Sequence, residues 1–200
     1  MGEKLCVFCG SNTGKNKAFK ETAYKLGKLI VKENLELVYG GGSSGLMGIV
    51  ADSVLEDGGH VTGIIPEMLK DLEICHTGVT NLITSKNMHE RKHKMYELAD
   101  YFFILPGGIG TIDEFAEVLT WSQLCIHNKA CALINTDGFF DSFLRFLNKT
   151  VEENFFKREH LDLLIVETSL EAALSKCRSF IHPNNMGKWI DEIKGKPRVG

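Results

Sequence analysis

The stretch ILPGGIGTIDE, residues 104–114, passes from a strand-like apolar segment through three glycines into a helix-like segment. Glycines at the opening of a helix permit a tight turn and bring backbone N–H groups close to an anion. The stretch therefore predicts one strand–turn–helix unit of an α/β protein, with an anion site at the turn. Two carboxylates, Asp113 and Glu114, follow this turn at once. A carboxylate and a bound anion repel each other, so the role of these carboxylates needs an explanation.

Short apolar runs alternate along the whole chain with segments of helical periodicity. The runs lack polar alternation, which is typical of strands that a parallel sheet buries on both faces. The predicted strands are residues 5–9, 35–39, 60–65, 101–105, 130–134 and 163–166, and the predicted helices are residues 15–33, 45–57, 87–99, 111–126, 138–154 and 169–180. This order predicts a Rossmann-like, doubly wound parallel sheet with helices on both faces.

The chain of 200 residues suits a single domain, and it contains no repeat or interdomain linker. We predict one Rossmann-like domain over residues 1–182 and a tail over residues 183–200, with one short helix near residues 186–193. The longest irregular stretch, residues 66–86, is predicted to be a loop over the site.

Composition excludes several classes of partner. Lysine and arginine number 23 against 26 acidic residues, a net charge of −3, so no basic field favours nucleic acid. No apolar run reaches the roughly 18 residues of a membrane span, and the N-terminus lacks a signal-peptide pattern. We therefore expect a cytoplasmic protein without a membrane partner.

The six cysteines are spread along the chain, which is typical of reduced thiols in an intracellular enzyme. Cys6 and Cys9 form a C-x-x-C motif, but both lie in a strand-like run, where a spacing of three places them on opposite faces. Buried strand cysteines are therefore favoured over a redox or metal pair.

A second glycine-rich turn, GGGSSGLMG at residues 40–48, also lies between a predicted strand and a predicted helix. Gly40, Gly42 and Gly45 fit G-x-G-x-x-G, which serves phosphate binding or, alternatively, a tight turn with close helix–sheet packing. A dinucleotide-binding site also requires an acidic residue after the next strand. Glu67 follows Pro66 and matches this poorly, so binding of NAD is not favoured.

Two explanations of Glu114 stay open at this point. Thr111 and Glu114 fit a T-x-x-E capping box, in which the two residues close the start of a helix reciprocally. In the predicted helix 87–99, however, Arg91 shares a stripe with Met88 and Met95, with Lys92 beside it. A cation on an inward stripe needs a partner, so Arg91 is predicted to reach a ligand above the glycine turn and to leave Glu114 for chemistry.

The same helix contains HERKH, residues 89–93, which fits the H-E-x-x-H zinc motif. Glu114 would be a third ligand in that reading. The face that carries His89 and His93 is otherwise polar, however, whereas zinc helices of this type are buried. An exposed helix face is therefore favoured over a metal site.

Three motifs in this order, YGGGSSGLMG, MHERK and PGGIGTIDE, resemble those of the LOG (Lonely Guy) phosphoribohydrolases, often labelled possible lysine decarboxylases. The resemblance covers roughly residues 4–180 and includes CVFCGS and TWSQLCIHNK. Every fixed position of the family's P-G-G-x-G-T-x-x-E motif is matched, by Pro106, Gly107, Gly108, Gly110, Thr111 and Glu114.

The resemblance implies hydrolysis of the N-glycosidic bond of AMP or of N6-modified (cytokinin) riboside 5′-monophosphates, without a metal or cofactor. Arg91 and Glu114 would be the catalytic pair. The implied substrate-binding residues are Gly42, Ser43, Gly45, Glu73, Met88, Lys92, Gly107, Gly108, Ile109, Gly110, Thr111, Ile112, Asp113 and Thr120. The glycines would then hold the 5′-phosphate, while Glu114 stabilises positive charge on the sugar or positions water.

The resemblance also implies a homodimer or a larger homo-oligomer. Two apolar stripes are candidates for the contacts or, alternatively, for ordinary core packing. They comprise Phe139, Phe140, Phe143 and Leu147, and Phe115, Val118 and Leu119.

Two other functions remain as alternatives. A non-catalytic nucleotide-binding module would carry the same turns. A lysine decarboxylase would need a lysine that holds pyridoxal phosphate, and no segment stands out for that role.

Overall fold

The computed structural model describes residues 2–70 and 75–183. Its centre is a seven-stranded sheet in which all neighbouring strands are parallel, in the order β4-β3-β2-β1-β5-β6-β7. The strands are β1 (Lys4–Phe8), β2 (Glu36–Tyr39), β3 (Val61–Pro66), β4 (Asn81–Ser85), β5 (Tyr101–Ile104), β6 (Ala130–Ile134) and β7 (Leu164–Glu167). The helices are α1 (Lys17–Lys32), α2 (Gly45–Glu56), α3 (Met88–Leu98), α4 (Ile109–Gln123), α5 (Asp141–Glu152) and α6 (Leu170–Arg178). The predicted doubly wound α/β fold is confirmed.

Two apolar cores cover the two faces of the sheet. One contains residues of α1, α2 and α6, and the other contains residues of α3 and α4 with partly buried residues of α5. Cys6 lies in one core and Cys9 in the other, both buried and both free, as the spacing predicts. Among the residues that the structure describes, no helix is long and apolar enough to cross a membrane.

The stretch predicted as a loop, residues 66–86, contains a strand that the sequence did not reveal. Strand β4 pairs with β3 at the edge of the sheet, and its residues Asn81, Leu82 and Thr84 are exposed. An edge strand that is open to solvent lacks the continuous apolar run by which a buried strand is recognised. The tail helix predicted near residues 186–193 and the substrate contact Glu73 both lie outside the described residues.

The candidate oligomer stripes divide into core and surface. Phe115, Val118, Leu119 and Phe140 are buried in the core, whereas Phe139 is 43% exposed. Ordinary core packing therefore explains the stripe on α4.

The strand order places a crevice between β1 and β5. Strands β2 to β4 extend to one side of β1, and β5 to β7 extend to the other. In such sheets ligands bind outside the carboxyl ends of the strands where the order reverses. The turn after β5 lies at this crevice, and the turn after β2 lies beside it.

Candidate active site

Packing explains two glycines of the first turn. A Cβ atom on Gly40 would lie 2.1 Å from Arg91 Nη2. Gly45 has a φ of +65°, and a Cβ there would lie 2.2 Å from the carbonyl carbon of Ser11. The Leu46 N–H also donates to the carbonyl oxygen of Gly10, at 3.0 Å. The first turn therefore connects α2 to Arg91 and to the loop after β1.

Arg91 is buried, with only 5% of its surface exposed. Its Nε donates to the carbonyl oxygen of Ile64 at 3.1 Å, and its Nη2 donates to that of Gly40 at 2.8 Å. The inward position that the methionine stripe predicts is thus confirmed. Because carbonyl oxygens accept these bonds without neutralising the guanidinium, they hold a positive charge rigidly at the ends of β2 and β3.

The second turn differs from the capping box that Thr111 and Glu114 suggest. Helix α4 begins at Ile109, and its N-cap is Gly108, which offers no side-chain cap. Thr111 stands inside the first turn and is buried, so the capping-box interpretation is wrong. The N–H groups in the first turn of a helix have no partner within the helix, and they form a site for an anion.

Gly108 and Gly110 are unlike Gly107. A Cβ on Gly107 would lie 2.1 Å from Thr111 Oγ1 and 2.9 Å from the Gly10 nitrogen. A Cβ on Gly108 or Gly110 would meet nothing within 4 Å. Packing therefore requires only the first of these glycines. The other two leave the backbone of the uncapped helix start open to a ligand.

A cavity of about 270 Å³ joins these features. It is lined by Cys9, Gly10, Ser11, Met47, Arg91, Gly108, Ile109, Gly110, Thr111 and Glu114. A second cavity of about 260 Å³ shares Gly10, Ser11 and Gly108 with it and continues between Phe19 and Phe139, with Gly107 also on its wall. The two form one cleft at the crevice, of the size typical of small-molecule sites.

Glu114 is only partly buried and lies at this cavity. Burial, together with the charge of Glu114, raises the pKa of the Cys9 thiol well above its usual value. This favours the neutral form of the Cys9 thiol, which is the weaker nucleophile. The carboxylate of Glu114 and the guanidinium of Arg91 are the charged groups that line this cavity.

Lys92 is held away from the cavity. Its Nζ lies 3.1 Å from Asp113 Oδ2 and 3.2 Å from Glu117 Oε2, which ties α3 to α4. Burial lowers the pKa of the Lys92 ammonium, but hydrogen bonds with the two carboxylates outweigh it, and the pKa lies above its usual value. In the structure this pair of predicted nucleotide contacts, Lys92 and Asp113, forms an ion pair.

The cleft thus gathers part of the predicted set. Its walls include Arg91, Gly107, Gly108, Ile109, Gly110, Thr111 and Glu114. The other predicted contacts that the structure describes do not line either cavity, and these are Gly42, Ser43, Gly45, Met88, Lys92, Ile112, Asp113 and Thr120.

Four residues that are not among the predicted contacts also line the cavity: Cys9, Gly10, Ser11 and Met47. Topology predicts that the loop after Cys9 lies at the crevice, which accounts for Gly10 and Ser11, whereas Met47 stands on α2.

The histidines of the zinc-like motif face solvent. His89 is exposed, and His93 pairs with Glu97 at 3.2 Å on the surface of α3. Glu114 lies at the cavity instead. Within residues 2–70 and 75–183, no group of three or more histidine, cysteine or acidic residues is placed to hold a metal ion.

The sequence of this chain is similar to those of proteins with known names. Residues 47–177 match the sequence model of the family described as "Possible lysine decarboxylase". The cytokinin riboside 5′-monophosphate phosphoribohydrolase LOG2 of Arabidopsis thaliana is 48% identical over 152 residues, 76% of this chain and 71% of that protein. The rice enzyme LOG, from Oryza sativa subsp. japonica, is 39% identical over 191 residues, 95% of this chain and 79% of that protein. The chain belongs to the LOG family.

Solved structures place this LOG-family chain in a wider fold group. The molybdenum cofactor binding protein from Rippkaea orientalis superposes with a TM-score of 0.68 at 21% identity, covering 90% of this chain and 97% of that one. The Moco carrier protein from Chlamydomonas reinhardtii gives a TM-score of 0.67 at 19% identity, covering 90% and 98%. At these identities the likeness shows the fold alone.

The two kinds of glycine in the second turn lead to opposite expectations. We expect Gly110→Ala to leave the free energy of unfolding unchanged or to raise it by up to about 1 kcal/mol, because alanine favours the helix. We expect its affinity for AMP to fall roughly tenfold, about 1.4 kcal/mol, because the new methyl group occupies the ligand's approach.

Denaturant unfolding and calorimetric titration with AMP measure the two effects. Gly107→Ala is the matched contrast and is expected to lose stability as well as affinity. AMP binding at wild-type strength by Gly110→Ala would show that the ligand does not approach this backbone.

Proposed function

We propose that this protein hydrolyses the N-glycosidic bond of AMP or of N6-modified (cytokinin) riboside 5′-monophosphates, releasing the free base and ribose 5-phosphate. One observation carries the proposal. A buried arginine, a partly buried glutamate and the uncapped start of a helix line a single cavity at the crevice of the sheet. The names of the relatives at 39% and 48% identity support the same reaction.

The chemistry assigns a different task to each feature. The first-turn N–H groups of α4 receive the 5′-phosphate. Breaking the bond between C1′ and the base leaves the electron pair on the base and builds positive charge on the sugar. The carboxylate of Glu114 stabilises that charge and accepts a proton from the water that adds to C1′. Glu114 then releases this proton to solvent, and the departing base takes up one proton from solvent, so that the neutral base is the product. Arg91 holds the nucleotide from the floor of the cavity and favours departure of the electron-rich base.

The alternative contained in the family's description, a lysine decarboxylase, fits the residues poorly. No lysine lines either cavity of the cleft among the residues that the structure describes. The lysine nearest in sequence to Arg91, Lys92, is bound by two carboxylates that keep it protonated. A Schiff base with pyridoxal phosphate needs an amine that can lose its proton.

The proposal extends to assembly and location. Phe143 and Leu144 of helix α5 pack partly buried against the core, whereas Phe146 on the same helix is 60% exposed. A second copy of the chain would cover this face, so we expect a homodimer. The free cysteines support a cytoplasmic location, because unpaired thiols are typical of reducing compartments.

Sedimentation velocity tests the assembly. We expect the wild type to sediment as a dimer and Phe146→Glu to sediment as a monomer, with Arg145→Glu, an exposed neighbour, as the control. A wild-type chain that stays monomeric at every concentration would contradict the dimer.

The reaction is tested by following free base chromatographically from three compounds: AMP, N6-isopentenyl-AMP and adenosine. We expect release from at least one of the two monophosphates and little from adenosine, which cannot use the anion site. The ratio of the two monophosphate rates assigns the preferred base. Equal release from AMP and adenosine would reject the phosphate site, and binding of both monophosphates without product would indicate a nucleotide-binding module.

A further inference from the structure

A histidine–aspartate pair lies outside the cleft, on the far side of the first glycine turn. The imidazole Nε2 of His76 lies 2.9 Å from Asp52 Oδ1 on α2. The other ring nitrogen, Nδ1, accepts a hydrogen bond from the Gly78 N–H at 3.2 Å. An accepting Nδ1 carries no proton, so Nε2 carries it and donates to Asp52. The two bonds together therefore fix the tautomer of the imidazole.

This pair holds a segment that lies directly against the first glycine turn. The His76 N–H donates to the carbonyl oxygen of Gly41 at 3.0 Å, and Cys75 forms an antiparallel bridge with Gly42. On its other side Gly41, with a φ of +79°, packs against β3, where an added Cβ would lie 3.3 Å from the backbone of Ile64. The turn is thus enclosed between β3 and the segment that begins at Cys75.

The same turn anchors Arg91. The carbonyl oxygen of Gly40 accepts from Arg91 Nη2, and that of Ile64 accepts from Arg91 Nε. Both acceptors adjoin Gly41, one as its neighbour in the chain and one by packing. The direction of the guanidinium therefore depends on where the turn is held.

We propose that Asp52 and His76 are positioning residues that orient Arg91 for the reaction, acting through the first glycine turn. The inference rests on the proposed function for its kinetic effect. His76 is largely covered, with 11% of its side chain exposed, whereas Asp52 is 63% exposed and extends from the surface of α2. Asp52 can be replaced without opening the core, so its variants separate orientation from folding.

The kinetic test compares Asp52→Ala, Asp52→Asn and Asp57→Ala. Asp57 stands at the end of the same helix and pairs with Lys28, so it controls for the loss of a carboxylate on α2. We expect Asp52→Ala to lower kcat for base release roughly tenfold, with KM for AMP changed less than about threefold, because Arg91 is misdirected while the anion site on α4 is intact. Asp52→Asn keeps an oxygen that accepts from Nε2 and is expected to restore most of kcat.

The double variant Asp52→Ala/His76→Ala is expected to lose no more than the worse single variant, because both act through one bond. An unchanged kcat in Asp52→Ala, an Asn variant as slow as the Ala variant, or losses that multiply in the double variant would each overturn the proposal.

Hydrogen exchange separates this inference from the reaction itself. In Asp52→Ala the amide of His76 is expected to exchange faster than in the wild type, since its bond to Gly41 is no longer supported. If the wild type releases no base, the proposed function fails. The link between the pair and the turn is then judged by this exchange alone, and an unchanged rate would reject it.

Discussion

Glu114→Gln is expected to reduce base release from AMP by a factor of about 10²–10⁴. An amide matches the carboxylate in shape but can neither stabilise positive charge on the sugar nor accept the proton of the attacking water. The anion site on α4 does not depend on Glu114, so the variant is expected to bind AMP with an affinity close to that of the wild type. Single-turnover measurement of adenine, combined with calorimetric titration, separates the two effects.

Glu117→Gln is the matched control for this variant. Glu117 stands on the same helix, but its carboxylate pairs with Lys92, and it does not line the cavity. We expect it to keep base release within a few-fold of the wild type. Substantial base release by Glu114→Gln would remove the carboxylate from the mechanism.

Arg91→Met is expected to lower kcat/KM for AMP by roughly 10² or more. It removes the buried positive charge and both hydrogen bonds to the carbonyl oxygens of Ile64 and Gly40. Those oxygens lose the donors that Arg91 supplies, so we also expect the free energy of unfolding to fall by about 2–4 kcal/mol. Arg91→Lys keeps a charge without the two-point geometry and is expected to fall between Arg91→Met and the wild type.

Lys94→Met supplies the comparison for Arg91→Met. Lys94 lies on the outer face of α3, where it pairs with Glu90 at 2.8 Å, so its loss is expected to change neither activity nor stability appreciably. Initial rates across AMP concentrations and denaturant unfolding give the two quantities. An Arg91→Met variant that folds and releases base at the wild-type rate would exclude Arg91 from the reaction.

The parts of the fold that the sequence predicts are those with a strong local pattern. Six strands follow from continuous apolar runs, which are typical of the strands of a parallel sheet. Strand β4 is not predicted, because this edge strand exposes the polar residues Asn81 and Thr84 and has no continuous apolar run. The inward position of Arg91 follows from its methionine stripe, which is again a local pattern.

The sequence predicts less of those features of the site that depend on tertiary contacts. The sequence predicts that α4 begins at Thr111, whereas in the structure the helix begins at Ile109 and Thr111 packs against Gly107. Which glycines are structural and which are open to a ligand depends on neighbours that are distant in sequence. The ion pairs of Lys92 likewise need the relative position of α3 and α4, which no short motif specifies.

The most direct test of the reaction is to incubate purified protein with AMP and to quantify adenine, ribose 5-phosphate, adenosine and inorganic phosphate by chromatography and mass spectrometry. The account predicts adenine and ribose 5-phosphate in equal amounts, with neither adenosine nor phosphate, or the same outcome with N6-isopentenyl-AMP and its base. Adenosine and phosphate as products, or both nucleotides bound and recovered intact, would contradict it.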